Sequence, residues 1–420
     1  MKVVIMAGGK GTRISSVVCD IPKPMIKIAG KPVLEREIEC LRSQGFTDII
    51  ITVGHLGNVI TDYFKDGSAF GVNIEYFVED IPLGNAGALF KLKDKLKEDF
   101  LLLNADAVFD IDFNRFVKYH KAKGGLVTLF THPNSHPYDS GLIIADGQGC
   151  VQKWLAKEDE RPEFYRNRVN AGLHVISPEV LNTEITSAKV DLDRQLLKPL
   201  AGSGKMFVYD SPEYVKDMGT PGRYASVCRD FEKGIVHSKN LQNLQKAIFL
   251  DRDGTLNKYV GFLRDIEDFE LCEGAAEAVK KINGSGYLAV TVTNQPVIAR
   301  GEVTFDGLRQ IHNKMETLLG FKGAFLDAIY FCPHHPHGGY KGEIPELKTE
   351  CNCRKPKPGM LLKAAEDLNI DLSQSWIVGD GENDVMCGIN AGCKTAVIGK
   401  DERADLCGKD LLDCINRILG

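Results

Sequence analysis

Lys246-Ala-Ile-Phe-Leu-Asp251-Arg-Asp253-Gly-Thr-Leu-Asn257 is the stretch from which the rest of the chain can be read. Ala247 to Leu250 is an apolar run long enough for a buried parallel strand, and Gly254 offers the sharp turn at its end. Two carboxylates one residue apart at such a point suit a nucleophile and a proton donor beside one metal ion. The same plan occupies Lys2-Val-Val-Ile-Met-Ala-Gly8-Gly9-Lys10-Gly11-Thr12-Arg13, where a strand breaks into a loop of glycine and base instead of acid. A strand followed by a phosphate loop, twice and about 240 residues apart, predicts two catalytic domains.

At 420 residues the chain is too long for one ordinary core, which agrees with two domains. An apolar fraction of 43% and a charged fraction of 26% are those of a soluble globular protein. A net charge of −5 argues against nucleic acid as a partner of the whole surface. No apolar run approaches the roughly 18 residues that would span a membrane, so none is expected. The apolar N-terminal stretch is too short for a signal sequence and reads as the first strand. Most of the twelve cysteines, such as Cys40, Cys228 and Cys393, stand alone in apolar patterns. They read as reduced thiols of a cytoplasmic protein.

Strands are expected at 2–7, 48–53, 73–78 and 99–103, with helices at 33–44 and near 57–65. Alternation of this kind predicts a doubly wound sheet with its site at the carboxyl ends of the strands. Shorter strands at 125–131, 141–145, 150–155 and 170–176 read as an antiparallel extension, followed by helices at 191–200 and 221–232. The polar, unpatterned stretch 233–245 is expected to be a linker between domains 1–232 and 246–420. A second alternation follows: strands at 246–250, 287–292, 326–330, 375–378 and 394–398, and helices at 274–285, 304–319, 358–368 and 382–391. A closing helix is expected beyond residue 400.

In the first domain, backbone N–H groups of the Gly8–Arg13 loop can wrap phosphate oxygens. A glycine-rich loop alone is weak evidence, and its plainer reading is a flexible turn. Lys23, between Pro22 and Pro24, is a cation on a stiff segment, and Asp106 ends a strand where a metal carboxylate often sits. Asp217 precedes a Met-Gly-Thr-Pro turn that offers a second carboxylate.

Gly-Gly-Lys-Gly-Thr-Arg, Ile-Pro-Lys-Pro-Met, Pro-Leu-Gly-Asn-Ala-Gly, Asn-Ala-Asp, Val-Asn-Ala-Gly and Asp-Met-Gly-Thr-Pro follow one another over residues 1–230. In that order they resemble the sugar-1-phosphate nucleotidylyltransferases, the heptose-1-phosphate guanylyltransferases most of all. The resemblance implies that Arg13 and Lys23 neutralise the triphosphate and that Asp106 and Asp217 hold Mg²⁺. It implies further that Gly8, Gly9, Gly11, Thr12, Gly84 and Asn85 bind substrate. Lys157 would meet the sugar phosphate, with Asn170 and Gly172 lining the sugar pocket. A sugar-phosphate oxygen attacking the α-phosphorus needs alignment and charge neutralisation more than a strong protein base.

In the second domain, Asp-x-Asp alone is more often a solvated acidic turn. Here Asp251-Arg-Asp253-Gly-Thr, Thr293-Asn294, Lys355 and Val-Gly-Asp380 with Asp384 resemble the four motifs of the haloacid dehalogenase-type phosphatases. By that resemblance Asp251 is the nucleophile and Asp253 the acid and base. Thr293 and Lys355 bind the phosphoryl oxygens. Asp251, Asp380 and the Asp253 backbone hold Mg²⁺, with Asn294 and Gln295 beside the substrate.

Cys332-Pro-His334 and Cys351-Asn-Cys353 bracket a polar loop with little to bury. One-residue gaps point alternate side chains the same way, so the two pairs can complete a tetrahedral, structural Zn²⁺ site. His335 and His337 read as spare or surface residues, with His335 the one competitor for the metal. The Cys-Pro-His-His-Pro and Cys-Asn-Cys-Arg-Lys-Pro arrangement resembles the heptose-1,7-bisphosphate 7-phosphatases and the histidinol-phosphate phosphatases. About forty residues separate Asp253 from Thr293, too few for an inserted cap. Arg354 is therefore expected to read the distal part of the substrate, with Gly261, Phe262 and Arg300 as lesser candidates.

The expected fold is α/β with two doubly wound domains: a Rossmann-like nucleotidyltransferase with an antiparallel extension, and a capless phosphatase with a zinc loop. The combined resemblance implies a bifunctional cytoplasmic enzyme of nucleotide-sugar synthesis. It would remove the 7-phosphate of a heptose 1,7-bisphosphate and transfer GMP from GTP to the heptose 1-phosphate. Its partners would be small molecules, with a homo-oligomer left open. The alternatives are another sugar with another NTP, and a nucleotide-sugar sensor that binds without turnover.

Overall fold

A computed structural model describes residues 1–8, 21–79, 81, 83–184, 187 and 189–420. The chain forms two compact units. The first comprises Met1–His132, Gly141–Ala156 and Val169–Asn240; the second comprises Pro133–Ser140, Lys157–Arg168 and Leu241–Gly420.

Among the described residues the main sheet of the first unit has nine strands: β1 (Val3–Met6), β2 (Asp48–Val53), β3 (Asn73–Val78), β4 (Phe100–Asn104), β5 (Val127–His132), β6 (Leu142–Ala145), β7 (Val151–Leu155), β8 (Val169–Ile176) and β9 (Met206–Asp210). Their order is β7-β6-β8-β4-β1-β2-β3, with β5 beside β8 and β9 beside β5. β4, β1, β2 and β3 are parallel. Side chains in these runs alternate between two cores: Val3, Ile5, Leu101 and Leu103 enter one, Val4, Leu102 and Ile50 the other. Burial on both faces explains why these strands read as unbroken apolar runs.

β8 runs antiparallel to β4, β5 and β6, and these strands make the expected extension. An antiparallel pair not anticipated from sequence, Ala107–Asp110 with Tyr214–Asp217, sets Asp217 opposite Ala107. That register brings Asp217 next to Asp106, and the Met218 N–H donates to the Asp106 carbonyl at 3.3 Å. The stretch 191–200, expected as a regular helix, is a wide turn over Leu192–Leu197 followed by a tight turn over Lys198–Leu200. Pro199 lacks the N–H that a regular helix would need there. Within 233–245, Ile235–Ser238 forms one helical turn with Ile235 and Val236 buried beside Tyr214 and Val227.

The second unit has six parallel strands: β10 (Lys246–Leu250), β11 (Tyr287–Asn294), β12 (Ala328–Cys332), β13 (Trp376–Gly379), β14 (Lys394–Ile398) and β15 (Leu406–Gly408). Their order is β12-β11-β10-β13-β14-β15. Ile248 and Leu250 face one core, and Ala247 and Phe249 the other. Between Leu250 and β11 the one helix is Ala275–Asn283, so no cap domain stands there. The closing helix is Leu411–Leu419.

Segments 133–140 and 157–168 pack on the helix Phe305–Phe321 of this same unit. The Thr317 hydroxyl accepts from the Tyr165 N–H at 2.9 Å and donates to its carbonyl at 3.1 Å. Arg168 and Glu316 form a buried ion pair at 3.1 Å. A β-carbon on Gly320 would stand 2.9 Å from Pro137, so glycine lets the segment approach the helix. Among the described residues no helix is long and apolar enough to cross a membrane.

Two candidate active centres and a thiol cluster

In the first unit, β1, β2 and β4 end together, since Met6 is in register with Thr52 and Asn104. Gly8 and Asp106 therefore emerge from neighbouring strand ends, the usual place for a ligand in an open parallel sheet. Lys23 begins a short turn between its two prolines, and its Nζ stands 2.6 Å from Asp106 Oδ2. The Asp217 carboxylate accepts from the Gly219 N–H at 2.7 Å and from Arg223 Nη1 at 2.9 Å. Burial alone would raise the Asp217 carboxyl; Gly219, Arg223 and Lys23 outweigh it and hold it below the usual range. Lys23, Asp106 and Asp217 thus form one cluster of a cation and two acids.

Two members of this neighbourhood escape sequence reading. Arg223 lies on the helix Pro221–Glu232, six residues after the acid it holds. Glu37, on the helix Val33–Ser43, is 1% exposed, and neither of its carboxylate oxygens has a hydrogen-bond partner. Burial, reinforced by Asp106, pushes its carboxyl well above the ordinary range. Its only sequence signal is a second acid on the buried face of an amphipathic helix.

Gly9, Gly11, Thr12 and Arg13 lie outside the described residues. Gly84 has φ of +81°, and a β-carbon there would meet the Val190 carbonyl at 2.3 Å. Asn85 uses its side-chain oxygen to accept from the Leu192 N–H at 2.7 Å, which fixes the loop around it. Lys157 belongs to a segment of the second unit and faces Asp139 at 3.9 Å. Asn170 and Gly172 lie together on β8, in the first unit.

In the second unit, β10 delivers Asp251, β11 delivers Thr293 and Asn294, and β13 delivers Asp380. The Lys355 ammonium, almost fully buried, stands 2.7 Å from Asp251 and 2.5 Å from Asp384. Carboxylate oxygens of Asp251, Asp380 and Asp384 lie within 4.8 Å of one another. Burial, together with Asp384 and Asp253 and against Lys355, pushes the Asp251 carboxyl up to about 7. Burial alone would lower Lys355; Asp251 and Asp384 raise it, so the ammonium stays charged. Gly254 and Gly379 permit this crowding, because a β-carbon at either would overlap Asp380 or Asp384 respectively. Asp384, quoted within the fourth motif and left out of the expected metal set, is one of the three converging acids.

The Asp253 side chain turns onto Arg252, which is fully buried, and also accepts from Asn257 and Gln295. Gln295 Nε2 bridges Asp253 Oδ2 and Thr293 Oγ1, at 2.8 Å to each. The Asn294 amide is engaged with the Lys355 backbone in both directions, at 3.0 and 3.1 Å. Asn294 therefore holds the lysine-bearing loop in place.

Cys332, His334, Cys351 and Cys353 bring their donor atoms within 4.8 Å of one another. The three sulfurs are 3.2–3.5 Å apart, and His334 Nδ1 is 3.3 Å from Cys353 Sγ. A set of three sulfurs and one nitrogen with these separations fits a tetrahedral ion bound at about 2.0–2.3 Å. The Cys332 hydrogen bond, followed by those of Cys351 and His334 and against burial, draws the Cys353 thiol down to about 5. His335, expected at the surface, is buried instead. Its Nδ1 donates to the His337 carbonyl and its Nε2 accepts from Arg300, so neither nitrogen is left for a metal. Arg354 Nη1 reaches the His334 carbonyl at 3.4 Å. Arg300 lies 4.0 Å over the Phe262 ring and 4.6 Å over Tyr340.

Residues 2–233 match the nucleotidyl transferase family, and residues 352–410 the HAD-hydrolase-like family. The D-glycero-beta-D-manno-heptose-1,7-bisphosphate 7-phosphatase of Pasteurella multocida is 46% identical over 157 residues, 37% of this chain and 83% of that enzyme. The UTP–glucose-1-phosphate uridylyltransferase of Synechocystis is 33% identical over 260 residues, 58% of this chain and 66% of that enzyme. The crystal structure of HddC from Yersinia pseudotuberculosis aligns with 55% of this chain and 99% of its own, at 26% identity and a TM-score of 0.48. With the lysine and acids of one centre and the Asp-x-Asp loop of the other in place, the chain belongs to the nucleotidyl transferase family and carries a HAD-like phosphatase unit of the same family as the Pasteurella enzyme.

Proposed function

We propose that the chain is a bifunctional enzyme of nucleotide-sugar synthesis. Its second unit removes the 7-phosphate of D-glycero-D-manno-heptose 1,7-bisphosphate. Its first unit joins the resulting heptose 1-phosphate to GMP from GTP, releasing pyrophosphate. One observation carries the pairing: the second unit's relative is named for a sugar bisphosphate and for removal of its 7-phosphate. The anomeric phosphate left behind is the nucleophile that a sugar nucleotidyl transferase centre needs.

In the phosphatase centre an Asp251 oxygen attacks phosphorus while the sugar oxygen departs with a proton from Asp253. Asp253 then takes a proton from the water that cleaves the aspartyl phosphate. Lys355, charged and buried, offsets the phosphoryl oxygens, and Thr293 offers them a hydroxyl. Asp251, Asp380 and the Asp253 backbone, with Asp384 close by, would hold Mg²⁺, which supplies further charge neutralisation. Three converging carboxylates against one lysine fit a divalent cation. Cys332, His334, Cys351 and Cys353 would hold a structural Zn²⁺ that fixes the loop bearing Arg354.

In the transfer centre a sugar-phosphate oxygen displaces pyrophosphate at the α-phosphorus in line. Lys23 and Arg13 neutralise the triphosphate, Asp106 and Asp217 would hold Mg²⁺, and Arg223 keeps Asp217 ionised. Gly8, Gly9, Gly11, Thr12, Gly84, Asn85, Asn170 and Gly172 would contact the substrates in this reading. In this reading the catalytic domains are residues 1–232 and 246–420, except that segments 133–140 and 157–168 pack in the second unit. Every cysteine among the described residues is a free thiol, which supports work in the reducing cytoplasm.

The test is to incubate the protein with heptose 1,7-bisphosphate and each NTP separately, then identify the product by mass. Phosphate release followed by GDP-heptose and pyrophosphate is expected with GTP alone. A second reading, a hexose 1-phosphate with another NTP, is favoured by the uridylyltransferase relative of the first unit. It predicts transfer to glucose or mannose 1-phosphate at a higher kcat/KM than to heptose 1-phosphate. No pyrophosphate with any pair would leave a binding module.

A further inference from the structure

β8 contains a local irregularity that serves its own chemistry. Four steps along it, from Asn170 to His174, pass only two steps of β5, from Thr131 to Leu129. The surplus residues form a bulge with Gly172 at φ +76°. Glycine is needed there twice over, because a β-carbon would also stand 2.5 Å from Asn104 Nδ2 at the end of β4. In a regular strand, residues four apart are roughly 13 Å from one another. Here the bulge brings His174 Nε2 to 3.2 Å from Asn170 Oδ1.

The hydrogens of this small network follow from its one fixed donor. The Gly172 N–H can only donate and points at Asn170 at 3.3 Å, so the atom facing it is the amide oxygen. His174 meets the same oxygen, so its Nε2 carries a proton. The imidazole is fully buried, and burial, against a backbone contact with Leu102, pushes its pKa down to about 4, so it serves as a neutral donor. Asn170 is half-buried, and two donors on Oδ1 leave its NH₂ as the end from which no described residue accepts.

We infer that His174 is the positioning residue that fixes the Asn170 amide with its NH₂ presented to the sugar. The ligand feature recognised is an acceptor oxygen, a ring hydroxyl or the ring oxygen of the sugar 1-phosphate. His174 makes no contact with substrate and acts through Asn170. The inference rests on the sugar-transfer reading of the first unit. An unrestrained Asn170 could turn its oxygen outward and meet the same hydroxyl as an acceptor, so the histidine selects one of two polarities.

The test uses the full-length protein and the substitutions His174→Leu and His174→Gln. Glutamine places an N–H₂ near the position of Nε2; leucine fills the space without a donor. His174→Leu is expected to raise the KM for heptose 1-phosphate roughly 3- to 10-fold, the scale of one lost hydrogen bond. The KM for GTP and the phosphatase kcat/KM should stay within twofold. His174→Gln should recover most of the sugar KM. An unchanged sugar KM in His174→Leu would overturn the inference, as would equal impairment of both variants with a raised GTP KM. A second measurement does not depend on turnover: ¹⁵N–¹H spectra of histidine-labelled protein should show His174 protonated at Nε2, with that resonance moved by Asn170→Ala. The Nδ1-protonated form would overturn the inference. A wild-type protein that shows the Nε2 signal and transfers to no sugar phosphate would sink the functional reading alone.

Discussion

Arg252 Nη2 stands 2.8 Å from each carboxylate oxygen of Asp253, and the arginine side chain has no exposed surface. The planar guanidinium matches the carboxylate edge and fixes the rotamer of the residue to which the proposed mechanism assigns proton transfer. Gln295 ties that same carboxylate to Thr293, so the proposed proton-transfer group and the proposed phosphoryl-binding hydroxyl are set by one network. Arg252→Lys keeps the charge and loses the fork. Phosphate release should fall in kcat by about tenfold with little change in KM, as expected when a proton donor is misaligned. Asp253→Asn should cost roughly 10²- to 10⁴-fold. Pyrophosphate release by the same preparations should be unchanged, and a parallel loss would argue against two separate centres.

The sequence makes the catalytic strands legible because both faces of each sheet are buried. Val3–Met6 and Lys246–Leu250 are apolar runs with chemistry at their ends, and the structure places them in central positions. The four thiol and imidazole donors are legible for a related reason, since one-residue gaps on extended chain leave few geometries. Asp384 is harder to assign: its nearness to Asp251 depends on Gly379 and Gly254 allowing close approach, which spacing does not encode. Glu37, whose carboxyl Asp106 helps to raise, and Arg223, which pairs with Asp217, lie outside the quoted motifs, and their partners are set by the fold. The packing of 133–140 and 157–168 in the second unit depends on Thr317 and Glu316, about 150 residues onward, and no local pattern announces it.

Arg168 and Glu316 are both almost fully buried, and Arg168 also donates to the Asn167 carbonyl. Replacing such a pair with apolar groups can be nearly neutral, whereas removing one partner strands a buried charge. Glu316→Ala should destabilise the second unit by about 3–5 kcal/mol. The double change Arg168→Met with Glu316→Leu should recover much of that loss. Urea unfolding followed by loss of phosphatase activity measures both, and equal midpoints for wild type and Glu316→Ala would show that the pair contributes nothing.

Cys351→Ser should remove one ligand from the thiol cluster. Metal analysis of the purified variant is expected to show less than half the zinc of the parent. Chelation of the parent should lower the melting temperature of the second unit and spare nucleotidyl transfer assayed after Mg²⁺ is restored. Full zinc content in Cys351→Ser would take that residue out of the ligand set.

His174 also predicts a pH dependence of stability in the first unit. Its folded pKa, pushed down to about 4 by burial, lies below the ordinary value near 6.5 of an unfolded chain. Between those values the unfolded state binds the extra proton, so acidification favours unfolding. The stability linked to neutral His174 is fully present above about pH 6.5 and falls as pH drops toward 4. At pH 5 the loss is about 2 kcal/mol, from the difference between pH 5 and the unfolded pKa. His312, which burial and then Arg252 hold well below its ordinary pKa, acts in the same direction in the second unit. Urea titrations at pH 7 and pH 5, followed by nucleotidyl transfer activity, should show wild type losing about 2 kcal/mol more than His174→Gln. Glutamine does not titrate, so parallel losses in the two proteins would mean that His174 is protonated in the folded state at pH 5.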